Sequence, residues 1–545
     1  MPRMTGGQAL IQQLLREGVD TVFGLPGVQL DGAFDALYEA RDRIRVIHTR
    51  HEQATSYMAD GYHRTTGKIG ACLVVPGPGL LNAMAGLSTA YACNSKVLCI
   101  AGQIPSDQIG KGRGMLHEIP DQLNAVRSVT KWAARAMRPE EVPGIVHHAV
   151  QQLHTGRPRP VEIEVPQDIL LAEGDITLID EPVQPSLPEP DPDALDHAAR
   201  LLGQAERPII FAGGGVVAAN ASEELQALAE MLEAPVILSM NGKGALSDRH
   251  YLTQAMVAAW TLLPKADVIF AVGTRFLQPA TVDWGPKGQP LIHLDIDPEE
   301  IGRNYPATVG IVADAKRGLA ALLERVPAYN RKRASRKDEL LALKERVHDL
   351  FWEVQPQAAF AQALRDALPE EGILVSESTQ VGYWTWQAFP VYQPRTFLTS
   401  GYQGTLGYGF ATALGAKVGN PDRPVVSING DGGFMYNVQE LATAVQHHIN
   451  VVTVVFNDNA YGNVKRIQKE RFNGHVIASD LVNPDFVKLA EAFGVEGRRV
   501  TTPDALRRAL EETISADHPV LIEVPVGEMP SIWPILLRGQ HGIVD

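Results

Sequence analysis

The strongest constraint on the fold of this chain is a repeated alternation between continuous apolar runs and amphipathic stretches. The runs read "TVFGLP", "IRVIHT", "ACLVVPG" and "VLCIAGQ", then "PIIFAGGG", "APVILSM", "DVIFAVG" and "PLIHLDID", then "GILVSE", "PVVSING", "NVVTVVFND" and "PVLIEVPV". Val, Ile and Leu in unbroken runs suit strands buried on both faces, and helical stretches between them supply the crossovers that parallel strands require. The fold class expected is α/β, with three doubly wound parallel-sheet domains, and 545 residues accommodate about three domains at ~150 residues each. Two segments break the rhythm. Asp180 to Asp193, "DEPVQPSLPEPDPD", is acidic and Pro-rich, as an extended linker is, and Asn330 to Asp349 is charge-dense and reads as a solvated helix joining domains. The boundaries expected are 1–178, 190–328 and 355–545, and the first and third units resemble cousins.

Composition narrows the function. A formal net charge of -14 disfavours binding to nucleic acid or anionic membrane, since both depend on clustered Lys and Arg. There is no run of 18 or more apolar residues and no basic stretch followed by an apolar one at the amino terminus, so a cytoplasmic protein with no membrane partner is expected. Cys72, Cys93 and Cys99 lack metal-type spacing and read as apolar fillers. Small-molecule chemistry is the class left.

The stretch "VVSINGDGGFMYNVQELATAV" carries a strand into a Gly-rich turn and then a helix. Such a turn collects free backbone N–H groups and the positive end of a helix dipole, which suits a diphosphate. The lysine-containing phosphate loop is absent. Asp431 within the turn repels a bare phosphate, and a divalent cation between them removes the conflict. Mg²⁺ favours carboxylate and phosphate oxygens, and "FNDNAYG" offers Asp458, 27 residues after Asp431. Taken alone, "GDGG" is a tight strand–helix turn and "NDN" an Asx turn. Together, at this spacing, they favour a metal-bridged diphosphate.

With these motifs the chain resembles the thiamin diphosphate (ThDP) enzymes, in the acetolactate synthase-like branch, over nearly its whole length. The resemblance implies a pyrimidine-binding domain, a central Rossmann-like domain and a diphosphate-binding domain, in that order. It implies Mg²⁺ held by Asp431, Asp458 and the carbonyl of Ala460, although most relatives carry Asn where this chain has Asp458. Glu52, in "TRHEQATSYMADGY", falls at the position of the glutamate that hydrogen-bonds the aminopyrimidine and activates the cofactor; a carboxyl in a low-dielectric site suits that task. Taken alone, a Glu opening a helix is a dipole-complementing cap. The remaining positions implied for the cofactor are Thr379, Gln380, Gly404, Leu406, Gly430, Gly432, Gly433 and Tyr461. His117 aligns with a pocket glutamine if one residue is inserted nearby, and it is a candidate proton donor; a structural surface histidine is the alternative.

The resemblance implies decarboxylation of a 2-oxo acid such as pyruvate, enamine formation and addition to a second carbonyl. Val74 and Val75 stand where decarboxylating relatives place a His–His pair, and Val28 follows "GLPG"; a pocket poor in proton relays favours carbonyl trapping. The acceptor-selecting tryptophan of acetolactate synthases is missing from "VKRIQKERF", and "GTRFLQPA" offers Arg275 alone. The alternatives are a 2-oxo acid decarboxylase, a lyase cleaving an acyloin or diketone, and a non-catalytic ThDP-fold binding protein; retention of both Glu52 and Asp431 counts against the last. FAD in the central domain is disfavoured by a shortened loop before "ADVIFAVG", and an empty or ADP-type site is expected there. The resemblance also implies a homodimer or dimer of dimers, with active sites at the subunit interface.

Overall fold

A computed structural model describes residues 3–276 and 285–538. Three six-stranded sheets dominate it, and every neighbouring strand pair within them is parallel. All the apolar runs form strands, so the α/β expectation holds. The first sheet runs, in spatial order, Arg45–His48, Thr21–Gly24, Gly70–Val74, Val97–Gln103, Val161–Pro166, Trp132–Arg135. The third runs Phe397–Leu398, Ile373–Ser376, Val425–Gly430, Val452–Asn457, Val520–Pro525, Glu496–Arg499. Numbered along the chain within each domain, both orders are 2-1-3-4-6-5, so the two domains are topological cousins. The middle sheet has the order 3-2-1-4-5-6: Thr253–Gln254, Val236–Leu238, Pro208–Ala212, Val268–Val272, Leu291–Asp295, Val309–Val312. That is the doubly wound dinucleotide-fold order.

In such sheets, ligands bind at the carboxyl ends of the strands where the order reverses. This places the crevice of the third domain between Ile373–Ser376 and Val425–Gly430, and that of the first between Thr21–Gly24 and Gly70–Val74.

From Asp180 to Asp191 the chain has no regular structure, as expected of a linker, and a helix Pro192–Gln204 follows. The charge-dense segment corrects one expectation. Its helix, Lys337–Trp352, is not solvated all round: Leu340, Leu343, Val347 and Phe351, at helical spacing, are buried in the middle-domain core. The Phe351 carbonyl also accepts a 2.9 Å hydrogen bond from the Trp384 indole, tying the helix to the third domain.

The first and third domains pack through helices Glu52–Thr66 and Tyr408–Gly419. A Cβ at Gly61 would lie 2.1 Å from the Thr412 carbonyl oxygen, and one at Gly415 would lie 1.9 Å from that of Met58. Only glycine permits the two backbones to approach so closely.

Candidate active site

At the crevice of the third domain, the strand Val425–Gly430 ends at Asp431, which opens a short helix and is 1 % exposed. Asp458 follows the adjacent strand Val452–Asn457 and accepts from the Ala460 N–H at 3.2 Å. Burial and the charge of Asp431 push the Asp458 carboxyl up to about 7, and burial also raises that of Asp431. No ion pair among the described residues neutralises either one. The Asn483 amide caps Asp431, donating to Oδ2 at 2.5 Å and also to Asn457 Oδ1 at 2.9 Å.

Two converging carboxylates without a counter-charge fit a hard divalent cation, whose oxygen ligands would include both. The surroundings fit a diphosphate as well. A Cβ on Gly430 would find its nearest neighbour, the Thr379 side chain, at 3.6 Å, and one on Gly404 would meet nothing within 4 Å. Thr379 is the extended residue before helix Gln380–Ala388, just after the neighbouring strand, and its side chain makes no capping bond to that helix. The structure therefore brings together Thr379, Gln380, Gly430, Asp431 and Asp458. The ring of Tyr461 joins them, lying 2.5 Å from a Cβ built on Gly432.

Gly433 faces away from that crevice toward a residue the sequence reading passed over. Glu377, fully buried, accepts from the Gly407 N–H at 2.8 Å and the Gly409 N–H at 3.0 Å. Its Oε1 lies 1.9 Å from where a Gly433 Cβ would be. The carboxyl thus caps helix Tyr408–Gly419, fixes the turn that carries Gly404 and Leu406, and presses on the turn that carries Asp431. Desolvation pushes it up to about 7, against the two N–H bonds that favour its charged form.

The first domain supplies a second group. Glu52 opens helix Glu52–Thr66 after the extended residue His51, and its Oε2 accepts from the Asn82 amide at 3.0 Å. Gly79, in the facing helix Pro78–Cys93, would carry its Cβ 3.5 Å from Glu52 Oε1. His117 has a positive φ of 68°. Its Nδ1 lies 3.1 Å from Gln29 Oε1, while the Gln29 amide donates to the Leu116 carbonyl at 3.0 Å. Gln29 is 3 % exposed, so it holds the imidazole from below. Val74 and Val75 are buried, and Val75 lies against Gly27 and Gly79. Among the described residues, no hydrogen bond or ion pair joins Glu52 or His117 to the third-domain group.

Sequence reasoning missed Glu377, Asn483 and Gln29. Glu377 stood two residues before Thr379, a position that does not announce what packs against it.

A cavity of about 870 Å³ lies elsewhere, at the reversal point of the middle sheet. It is lined by Gly214, Gly215, Gly273, Arg275, Asp295 and Lys96, among others. Asp295, 6 % exposed, is pushed up to about 6 by burial. Arg275 is committed to the domain boundary: it donates to the Ala92 carbonyl at 2.9 Å and stacks over Tyr402 at 4.3 Å. Its neighbours at 277–284 lie outside the described residues.

Three family models match the chain: the N-terminal TPP binding domain of thiamine pyrophosphate enzymes over residues 4–125, the central domain over 195–322, and the C-terminal TPP binding domain over 377–524. A probable acetolactate synthase large subunit of Methanocaldococcus jannaschii is 37% identical over 97% of this chain and 94% of its own length. The acetolactate synthase large subunit of Corynebacterium glutamicum is 33% identical over 99% and 89%. A probable 2-ketoarginine decarboxylase of Pseudomonas aeruginosa is 36% identical over 96% and 94%. With matching models on all three sheets and relatives that span the chain, this protein belongs to the thiamine pyrophosphate-dependent enzymes, in their acetolactate synthase-like branch.

Proposed function

We propose that the protein is a ThDP- and Mg²⁺-dependent carboligase that decarboxylates a 2-oxo acid such as pyruvate and joins the remainder to a second carbonyl, giving a 2-hydroxy ketone such as 2-acetolactate. The observation that carries the cofactor reading is the uncompensated carboxylate pair Asp431 and Asp458, at the carboxyl ends of two adjacent strands beside the reversal point of the third sheet. Asp431, Asp458 and the Ala460 carbonyl hold the metal. Thr379, Gln380, Gly430, Gly432 and Tyr461 flank the diphosphate, and Gly404 and Leu406 support the pyrimidine. Gly433 serves the same turn through Glu377. When bound, ThDP supplies a carbon nucleophile and an electron sink for departing CO₂. Glu52 holds a proton at its carboxyl toward the pyrimidine, and Asn82 orients it. His117, oriented by Gln29, faces the substrate side and delivers a proton to a developing alkoxide. Val74 and Val75 exclude water there, which favours a carbonyl over a proton as the trap.

The two half-sites on one chain support a homodimer, or a dimer of such dimers, in which Glu52 of one subunit meets Asp431 of the other. The middle cavity lies within the usual ~300–1,000 Å³ of small-ligand sites, and an ADP-type or empty site is the reading kept over FAD. The setting is cytoplasmic; among the described residues no helix is long and apolar enough to cross a membrane. The ketoarginine decarboxylase relative favours one second reading, simple 2-oxo acid decarboxylation. Incubation with pyruvate, with and without ThDP and Mg²⁺, followed by mass analysis, separates them: acetolactate supports carboligation, acetaldehyde supports decarboxylation, and neither product removes pyruvate as donor. Glu52→Gln abolishes whichever activity is found; an unchanged rate overturns the reading.

A further inference from the structure

We infer that Glu440 is a positioning residue for Glu52, acting across the boundary between the first and third domains; the inference rests on the role proposed for Glu52. Glu440 ends a short 3₁₀ turn, Val438–Glu440, and is fully buried. Its carboxylate leaves its own domain's neighbourhood and accepts from the backbone of the first. The Arg50 N–H donates to Oε2 at 3.0 Å and to Oε1 at 3.2 Å, and the His51 N–H donates to Oε1 at 3.0 Å. The Thr443 hydroxyl donates to Oε2 at 2.6 Å and fixes the carboxylate from behind.

Those two N–H groups sit between the strand Arg45–His48 and the helix that Glu52 opens, in a stretch with no ladder partner. N–H groups in a segment without a ladder partner need other acceptors, and here the fully buried Glu440 carboxylate supplies them. His51 is extended at φ -146°, ψ 141°, and caps the helix by accepting from the Gln53 N–H at 3.2 Å. Fixing the N–H groups of residues 50 and 51 therefore fixes where the helix starts, and so where the Glu52 side chain leaves the backbone. Nearby, His447 packs edge-on against His48, with ring centroids 4.8 Å apart, and seats the preceding strand end. Glu440 is the only carboxylate among the acceptors of Arg50 and His51 N–H.

A domain adhesive and a positioning residue differ in what their loss changes. Glu440→Ala leaves Asp431, Asp458 and the diphosphate turn intact, so ThDP and Mg²⁺ affinities stay within about twofold, as for independent sites. Exchange of the cofactor C2 proton for deuterium, which depends on Glu52, slows by about 10- to 100-fold, the loss expected for a misplacement of about 1 Å. In the metal- and cofactor-free protein, amide exchange of the peptide covering residues 50–53 speeds up selectively. Glu440→Gln restores C2 exchange in part, to within about tenfold of wild type, because an amide oxygen at the Oε1 position still accepts from both N–H groups and the NH₂ can donate to Thr443, although that NH₂ then faces the Arg50 N–H. Should Glu440→Ala fail to fold, Glu440→Asp, which withdraws the carboxylate by one methylene, is the variant measured. Wild-type C2 exchange in either variant overturns the inference, as does a loss matched by equal weakening of ThDP binding. Glu52→Gln is run alongside: if it leaves C2 exchange unchanged, the role of Glu52 itself fails, whereas slow exchange in Glu52→Gln with normal exchange in Glu440→Ala rejects only the positioning.

Discussion

Glu377→Gln offers the sharpest test of how the third domain is held together. The wild-type carboxyl is fully buried, sits against Gly433, and accepts from the N–H groups of Gly407 and Gly409. Its pKa is pushed from an ordinary 4.5 to about 7, chiefly by desolvation. A folded-state pKa raised above the unfolded one contributes stability that is fully present below about pH 4.5 and is lost as pH rises through about 7. The raised value corresponds to about 3 kcal/mol lost between pH 5 and 8.5. The glutamine variant has nearly the same shape and does not titrate, so it does not share this loss. It pays at all pH values for turning an NH₂ toward one of the two N–H donors, about 1–3 kcal/mol. Wild type should therefore exceed the variant most at pH 5, with the gap narrowing by about 3 kcal/mol by pH 8.5. Three domains need not unfold together, so the measurement is local: pulsed amide exchange of the 407–419 peptide across a urea series at each pH. Parallel pH profiles for the two proteins would refute the buried, titrating cap.

Three further outcomes are expected. Gly433→Ala has no room for its methyl, 1.9 Å from Glu377 Oε1, and should destabilise the third domain by about 2–4 kcal/mol through overpacking and displaced hydrogen bonds; a thermal midpoint equal to wild type would contradict the packing. Asp458→Asn retains an oxygen ligand but loses a charge, so Mg²⁺ binding by calorimetry should weaken about tenfold while folding is spared; an unchanged Kd would remove Asp458 from the metal site. Gln29→Ala and His117→Ala should slow product formation to a similar degree and non-additively in combination, as expected of a residue and its support; additive losses would separate them.

The fold was legible where burial needs apolar side chains. The strand Val161–Pro166 escaped notice because Glu162 and Glu164 interrupt its pattern, yet both are buried. Glu164 meets Arg135 at 2.5 Å, and desolvation with the nearby Glu164 charge raises the Glu162 carboxyl well above the ordinary carboxylate range. Edge strands such as Glu496–Arg499 escaped for the opposite reason, since a strand exposed along one side tolerates charge. The solvated-helix reading of residues 330–349 missed a buried face because the three buried apolar positions there, Leu340, Leu343 and Val347, are outweighed by the surrounding charge.

The site was legible only where its chemistry is local. Asp431 and Asp458 lie in turns that follow adjacent strands, so their spacing in sequence carries their proximity in space. Glu377 and Glu440 work through backbone N–H groups about 30 and 390 residues away, and no side-chain pattern marks those donors. The glycines make the same point. Gly430 leaves room at the crevice, whereas Gly433 leaves room for Glu377 behind it, so one motif read as a phosphate loop divides into a half open to the crevice and a packing half. A phosphate-only account of the motif predicts that Gly433→Ala harms ThDP affinity alone. The packing account predicts that the cofactor-free domain is already destabilised, and unfolding measured without ThDP decides between them.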